Sequence, residues 1–266
     1  MIEFDVCGIG VWSERFTNSD ELRSGLASGT WRDSVSLQPE LIPPRERRRA
    51  PQFVKMAVEV MHQACSMAAM APNRPTTVFA SQMSDMETTD YVCRVLAESP
   101  RLVSPTKFHN SVHNAAVGYW SIATESCRPA NAIAAFDLSP SIALLEGASQ
   151  LSTENTPVLM VMQDAAPPVP FEYICPTSSS FAAGLLISPP GDCSRALLHC
   201  RLTTAYQAVD WPGLPPGLPD GLAGNASARI LPLLVAAMTS FSGNLVLSFP
   251  VAPKLSLQLT LQRGAS

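Results

Sequence analysis

The pattern of apolar and polar positions alternates strand with helix through residue 163 and changes character after it. Phe4 to Val11 reads as a first strand ending in Gly8-Ile9-Gly10, taken as a tight turn, and Ser19-Asp20-Glu21-Leu22 opens a short helix with a capping residue ahead of acids. The clearest helix starts after Pro51: Phe53, Met56, Ala57, Val60, Met61, Ala64, Met67, Ala68 and Ala71 recur at three- and four-residue spacing. Lys55, Glu59 and Gln63 hold its other face, and Pro72 ends it. The methionines on its apolar face read as core packing. Thr76 to Ser81 is a short buried strand, Tyr91 to Ala97 a helical piece, and Ala130 to Phe136 a small-residue strand running into Asp137. Ser139-Pro140, with Ile142, Ala143 and Leu145 behind it, reads as a cap, a first-turn proline and a helix, and Pro157 to Gln163 as another apolar strand. This alternation predicts an α/β layered domain with covered parallel strands.

The second half is built differently. Phe181 to Ser188 and Ala196 to Thr203 look like paired strands joined by the Pro189-Pro190-Gly191-Asp192 turn. The run from Asp210 to Gly221 is a loop by composition, expected to be ordered only against another surface. Ser227 to Phe241 reads as helix with Pro232 near its start, and Asn244 to Phe249 as strand. Leu255, Leu257, Leu259 and Leu261 alternate with polar residues, the signature of a strand buried on one face.

Composition narrows the function. The 266 residues carry a net charge of −4 and no basic field, which argues against nucleic acid as a partner. Hydrophobic residues make up 46% against 15% charged, a surplus that points to a buried subunit interface. No stretch reaches the length of a membrane span, and the acidic first residues are unlike a secretory signal. The seven cysteines are scattered without paired spacing, which argues against a disulfide framework or a zinc site and for a reducing cytoplasm. His109 and His113, four apart, have the spacing of a helical metal pair but no glutamate between them, so packing or an interface is the favoured role and no metal is assigned. Cys127 beside Arg128 reads as a structural thiol. The basic run Arg45, Arg47, Arg48 and Arg49 reads as a solvated helix entry, with docking of an acidic carrier protein as the alternative.

The segment Ser104-Pro105-Thr106-Lys107-Phe108-His109-Asn110-Ser111-Val112-His113-Asn114-Ala115-Ala116-Val117-Gly118-Tyr119-Trp120-Ser121-Ile122 resembles the part of a β-ketoacyl synthase that leads to its nucleophile elbow. Val6-Cys7-Gly8-Ile9-Gly10, Arg48 to Val54 and Thr77 to Ser81 support the same resemblance, which runs from Phe4 to about Gln163. Within the thiolase superfamily the chain is similar to the short β-ketoacyl synthase-like N-terminal domain family, which includes chain-length-factor subunits of bacterial aryl polyene clusters. The resemblance implies a thiolase-like αβαβα layered fold with a mixed sheet, residues 1–165 matching the N-terminal half and 166–266 a reduced C-terminal part. It also places Asp137 where the catalytic cysteine stands.

A condensing cysteine works because a helix N-terminus lowers its pKa, whereas an aspartate there is a weak nucleophile and a good cap. After residue 163 the only histidine is His199, in a strand pattern, and the motifs that carry the decarboxylating histidines are absent. The resemblance therefore implies a non-catalytic subunit without cofactor that forms a heterodimer with an active ketosynthase, and that meets acyl carrier protein through the complex. The strand at Ala130 to Phe136 is expected to pair across the dimer axis. Phe108, His109, Asn110, His113, Asn114, Trp120, Ala134 and Phe136 are the candidates for the interface and acyl tunnel. Two other readings stay open: an acyl-thioester enzyme acting alone through Asp137, His109 or Cys127, and a carrier-binding scaffold.

Overall fold

The computed structural model describes residues 1–264. In chain order its elements are β1 (Ile2–Ser13), α1 (Ser19–Ser28), α2 (Pro44–Arg47), α3 (Gln52–Met67), β2 (Thr76–Ala80), α4 (Met86–Glu98), α5 (Pro105–His109) and α6 (Ala115–Thr124). They continue with β3 (Ala130–Ile133), α7 (Ser139–Glu154), β4 (Val158–Asp164), β5 (Phe181–Ser188), β6 (Leu198–Ala205), α8 (Leu231–Met238), β7 (Leu245–Ala252) and β8 (Leu255–Arg263). The eight strands form one mixed sheet in the order β3-β2-β4-β5-β1-β6-β8-β7. β2 runs parallel to β3 and β4, and the remaining pairs are antiparallel. Helices cover both faces, α3 and α6 on one and α1, α7 and α8 on the other, giving the α/β thiolase-like arrangement. The last three strands extend the sheet of the first five rather than starting a second one.

β1 is the spine. Its register shifts between Val6 and Gly8, which changes which face each side chain meets. Phe4, Val6, Ile9 and Val11 enter the α7–α8 side, while Cys7 and Trp12 enter the α3 side. Gly8 and Gly10 lie inside this strand and not in a turn. A Cβ on Gly8 would meet the carbonyl of Ala64, and one on Gly10 or Gly184 the carbonyl of Val60. Backbone-to-backbone packing of α3 on the sheet requires these glycines. Gln63, which periodicity assigns to the polar face of α3, reaches β1 instead: Val11 N–H donates to its Oε1 at 3.0 Å.

Local chemistry also ends α3 early. Ala69 adopts the left-handed conformation at φ 51°. Its N–H bonds Ser66 O at 3.1 Å, and Met70 N–H bonds Cys65 O at 3.0 Å, the pairing that closes a helix after Met67 ahead of Pro72. At α1 the cap is Asn18, one residue before the expected Ser19, accepting from the N–H groups of Asp20 and Glu21.

The expected pairing of β5 with β6 does not occur. β1 lies between them, paired with β5 over Asp5–Ser13 and with β6 over Ile2–Val6. The Pro189–Asp192 turn straddles the start of β1, and Gly191 N–H donates to Asp5 Oδ2 at 2.8 Å. The 210–221 loop is ordered against its own chain. Trp211 packs edge-on to Phe249, and Trp31 Nε1 donates to Gly217 O at 3.1 Å. Against the expectation of unpaired thiols, Cys7 and Cys193 form a disulfide with their Cα atoms 5.8 Å apart.

Candidate functional site

The parallel strands β3, β2 and β4 end on one side of the sheet, where an open α/β fold gathers functional groups. β3 stops at Ile133, three residues short of the expected strand, because the backbone turns sharply at Phe136, φ 49°. A left-handed conformation at an aromatic residue is strained, and its ring is 61% exposed. Ser139 braces this elbow from within: its hydroxyl accepts from Ala135 N–H at 3.0 Å and donates to Phe136 O at 2.7 Å.

Asp137 stands in the elbow but does not cap α7, whose N-terminus has no side-chain cap. Gln82 Nε2 donates to its Oδ1 at 3.0 Å, and the Arg229 guanidinium sits 3.6 Å from its Oδ2. Arg229 in turn lies over the Trp211 ring, 5.0 Å from its centroid. The anion is thus drawn sideways, towards β2 and the short helical turn at Ser227–Ile230, and away from the helix end.

Behind Asp137 lies a buried carboxyl that sequence reading missed. Asp164 Oδ1 accepts from Ser81 Oγ at 2.9 Å and Gln82 N–H at 2.7 Å, and its Oδ2 from Ser227 N–H at 3.1 Å and Ser227 Oγ at 2.6 Å. Burial pushes its pKa up to about 6, against the pull of those four hydrogen bonds. The signal was an aspartate closing an apolar strand, with Ser81-Gln82 at the matching end of β2. Cys175 is the thiol that feels both carboxylates. Burial, then Asp164 and Asp137, push it up to about 11, opposite to what a nucleophile needs. Burial likewise pushes Cys65 up to about 12.

The other candidates separate. Phe108 is 64% exposed, and His109, Asn114 and Ala134 lie on the surface with it. His109 and His113 do not converge. His113 Nε2 bonds Ile133 O at 2.9 Å and its ring meets Phe79 edge-on, while His109 faces another cavity. Among the described residues no group of three His, Cys, Asp or Glu side chains is placed to hold a metal. Two candidates need correction as surface residues: Trp120 is 1% exposed in the α3–α6 core, and Asn110 is buried, accepting from Tyr119 Oη at 3.3 Å. Trp120 is core because α6 must bury one side against α3, and Asn110 closes the end of α5. Cys127 is exposed and outside the elbow cluster.

That surface is apolar and open. Phe108, Val112, Ile122 and Phe136 are all more than half exposed. A cavity of about 380 Å³ lies between α5, α6 and Arg49, with Gly118 and Ile122 on its wall. A shallower one of about 680 Å³ follows the free edge of β3, bounded by His113, Ile142 and Glu146. No helix among the described residues is long and apolar enough to cross a membrane.

The family model for the β-ketoacyl synthase N-terminal domain matches residues 23–210. A comparison with curated protein sequences finds no match. Among solved structures, a ketosynthase (ApeO) in complex with its chain length factor (ApeC) from Xenorhabdus doucetiae is similar at TM-score 0.67 and 17% identity, covering 98% of this chain and 100% of that one. The ishigamide ketosynthase/chain length factor is similar at TM-score 0.74 and 13% identity, covering 99% of each chain. A type II polyketide synthase acyl-carrier protein in complex with its ketosynthase, AntDE:AntF, is similar at TM-score 0.73 and 11% identity, covering 99% of this chain and 100% of that one. At these identities the likeness is one of fold.

Proposed function

The chain belongs to the β-ketoacyl synthase N-terminal domain family, and from that premise we propose that it is a non-catalytic, chain-length-factor-like subunit that pairs with an active ketosynthase and shapes its acyl tunnel. The observation that carries this reading is the free edge of β3, set beside the exposed rings of Phe108 and Phe136. An edge strand offers unpaired N–H and C=O groups, and a strand of four residues is too short to hold a partner alone. A specific interface covers about 800 Å² on each side, so the helical surface around Phe108, Val112 and Ile122 must join it. The strained Phe136 fits this role, because a constraint that serves no packing inside the chain is rewarded when the ring enters a neighbour.

The elbow supports the absence of condensation. Asp137 is paired with Gln82 and Arg229, and burial with the nearby carboxylates pushes the Cys175 thiol up to about 11, an environment that disfavours acyl transfer from a thioester. On this reading His109, Asn114 and Ala134 belong to the interface, with Asn110, His113 and Trp120 fixing its shape from below. Residues 166–266 act as a reduced second half whose strands complete the sheet. The carrier protein reaches the complex on the ketosynthase side, in the cytoplasm.

The test is co-expression with a ketosynthase of an aryl polyene or related pathway. The expected result is a one-to-one complex that condenses malonyl units, while this chain alone neither decarboxylates malonyl-carrier nor gains mass from an acyl-carrier donor. An acyl adduct on the isolated chain, or a chain that ignores the ketosynthase in co-purification, refutes the reading.

A further inference from the structure

Around Asp5 of β1, a second cluster of reactive groups is independent of the elbow and of the subunit reading. Cys193, Arg195, His199 and Asp5 line one cavity of about 300 Å³. Cys193 is half-buried at its wall and bonded to Cys7, which is 2% exposed. His199 is held by a buried carboxylate: its Nδ1 lies 2.9 Å from Asp5 Oδ1, and Asp5 Oδ2 is occupied by Gly191 N–H at 2.8 Å. A carboxylate only accepts, so Nδ1 carries a hydrogen, and in the neutral imidazole Nε2 holds the lone pair. An imidazole oriented in this way is a proton acceptor with a fixed direction. Arg195, exposed at the same wall, has no salt-bridge partner among the described residues and adds an anion contact.

We propose that Cys193 is a thiol–disulfide exchange site for a small thiol that bears a carboxylate. The incoming thiol gives its proton to His199 Nε2 and its thiolate attacks Cys193 Sγ, the accessible sulfur of the pair, because Cys7 is closed off by α3 and the sheet. A new sulfur–sulfur bond forms to Cys193 as the Cys7–Cys193 bond breaks. Cys7 leaves with the bonding electron pair and takes back the proton. One thiol and one disulfide thus become one mixed disulfide and one thiol, with no outside oxidant or reductant. The released Cys7 thiol has an acceptor at hand, its Sγ lying 3.7 Å from Asp5 O. Arg195 holds the carboxylate of the incoming molecule while the exchange proceeds.

The chain is purified without reductant, denatured and alkylated, and its thiols are counted by intact mass. Five of the seven cysteines are expected to react, Cys7 and Cys193 being protected. Native protein is then treated with reduced glutathione or with 2-mercaptoethanol, quenched with acid and mapped. The adduct is expected on Cys193 with Cys7 newly alkylatable. Arg195→Ala should slow the glutathione reaction about two- to fivefold, the scale of one exposed ion pair, and leave 2-mercaptoethanol unchanged. His199→Gln should slow both thiols. Seven free thiols in the untreated chain, an adduct on Cys7, or an Arg195→Ala variant that treats the two thiols alike overturns the proposal.

Discussion

Replacing Asp164 by asparagine tests the centre of the elbow by separating the charge of the buried carboxyl from its hydrogen bonds. Each carboxyl oxygen accepts one backbone N–H, from Gln82 on Oδ1 and from Ser227 on Oδ2. The hydroxyls of Ser81 and Ser227 can reverse direction, but a backbone N–H cannot. Asparagine keeps one acceptor oxygen and presents an amide donor in place of the other, so one backbone N–H is orphaned in a buried site, at about 1–3 kcal/mol. Against this stands the cost of burying the charge. The rise in the Asp164 pKa from 3.8 to about 6 corresponds to about 3 kcal/mol against the ionised form. A carboxyl whose folded pKa lies above its unfolded value binds its proton more tightly in the native state. Its contribution is therefore fully present below 3.8 and is lost as pH rises through about 6. The wild type should exceed Asp164→Asn in stability at acid pH, and the gap should shrink by up to about 3 kcal/mol by pH 7.5. Urea unfolding of both proteins from about pH 3 to 7.5 measures the difference, in which other titrating groups cancel. A gap that stays constant or widens with pH would show that the four hydrogen bonds outweigh burial and that Asp164 carries its charge without penalty.

Ala69→Gly should raise stability by about 1 kcal/mol, because glycine takes the left-handed position without the Cβ penalty; thermal unfolding checks it. Gly184→Ala places a methyl against the Val60 carbonyl, where α3 meets the sheet, and should cost about 1–3 kcal/mol or leave the chain insoluble, read by expression and urea midpoint. Phe108→Ala leaves the fold intact, since the residue is 64% exposed, so on the proposed reading its effect is expected only in a complex with a ketosynthase. Products there should shift to longer chains at similar turnover, and unchanged lengths with an intact complex would remove Phe108 from the tunnel. Asp137→Cys should at most accept an acyl group without extending it, because the Gln82 and Arg229 environment remains; intact mass and product analysis distinguish the two.

Local patterns carried the elements that local physics decides. The three- and four-residue recurrence from Phe53 to Ala64 is α3, and the leucine alternation from Leu257 to Leu261 is the buried face of β8. The match from Ser104 to Ile122 led to the segment that follows β3, which the structure turns sharply at Phe136. What escaped depends on residues far apart in the chain. Nothing near Phe181 or Leu198 announces that β1, about 190 residues away, lies between their strands, because strand neighbours are chosen by long-range pairing. Cys7 meets Cys193 across 186 residues for the same reason.

The sequence by itself determined a strand–helix alternation and a surplus of apolar residues. Both follow from side-chain chemistry read over a few turns. The tertiary structure alone decided that Gly8 and Gly10 floor a helix, that Asp137 is tied to Gln82 and Arg229 rather than to the end of α7, and that Trp120 is core while Phe108 and Phe136 face outward. Such assignments rest on which surfaces close together. That is fixed only when every buried polar group has found a partner and each helix has chosen the face it buries.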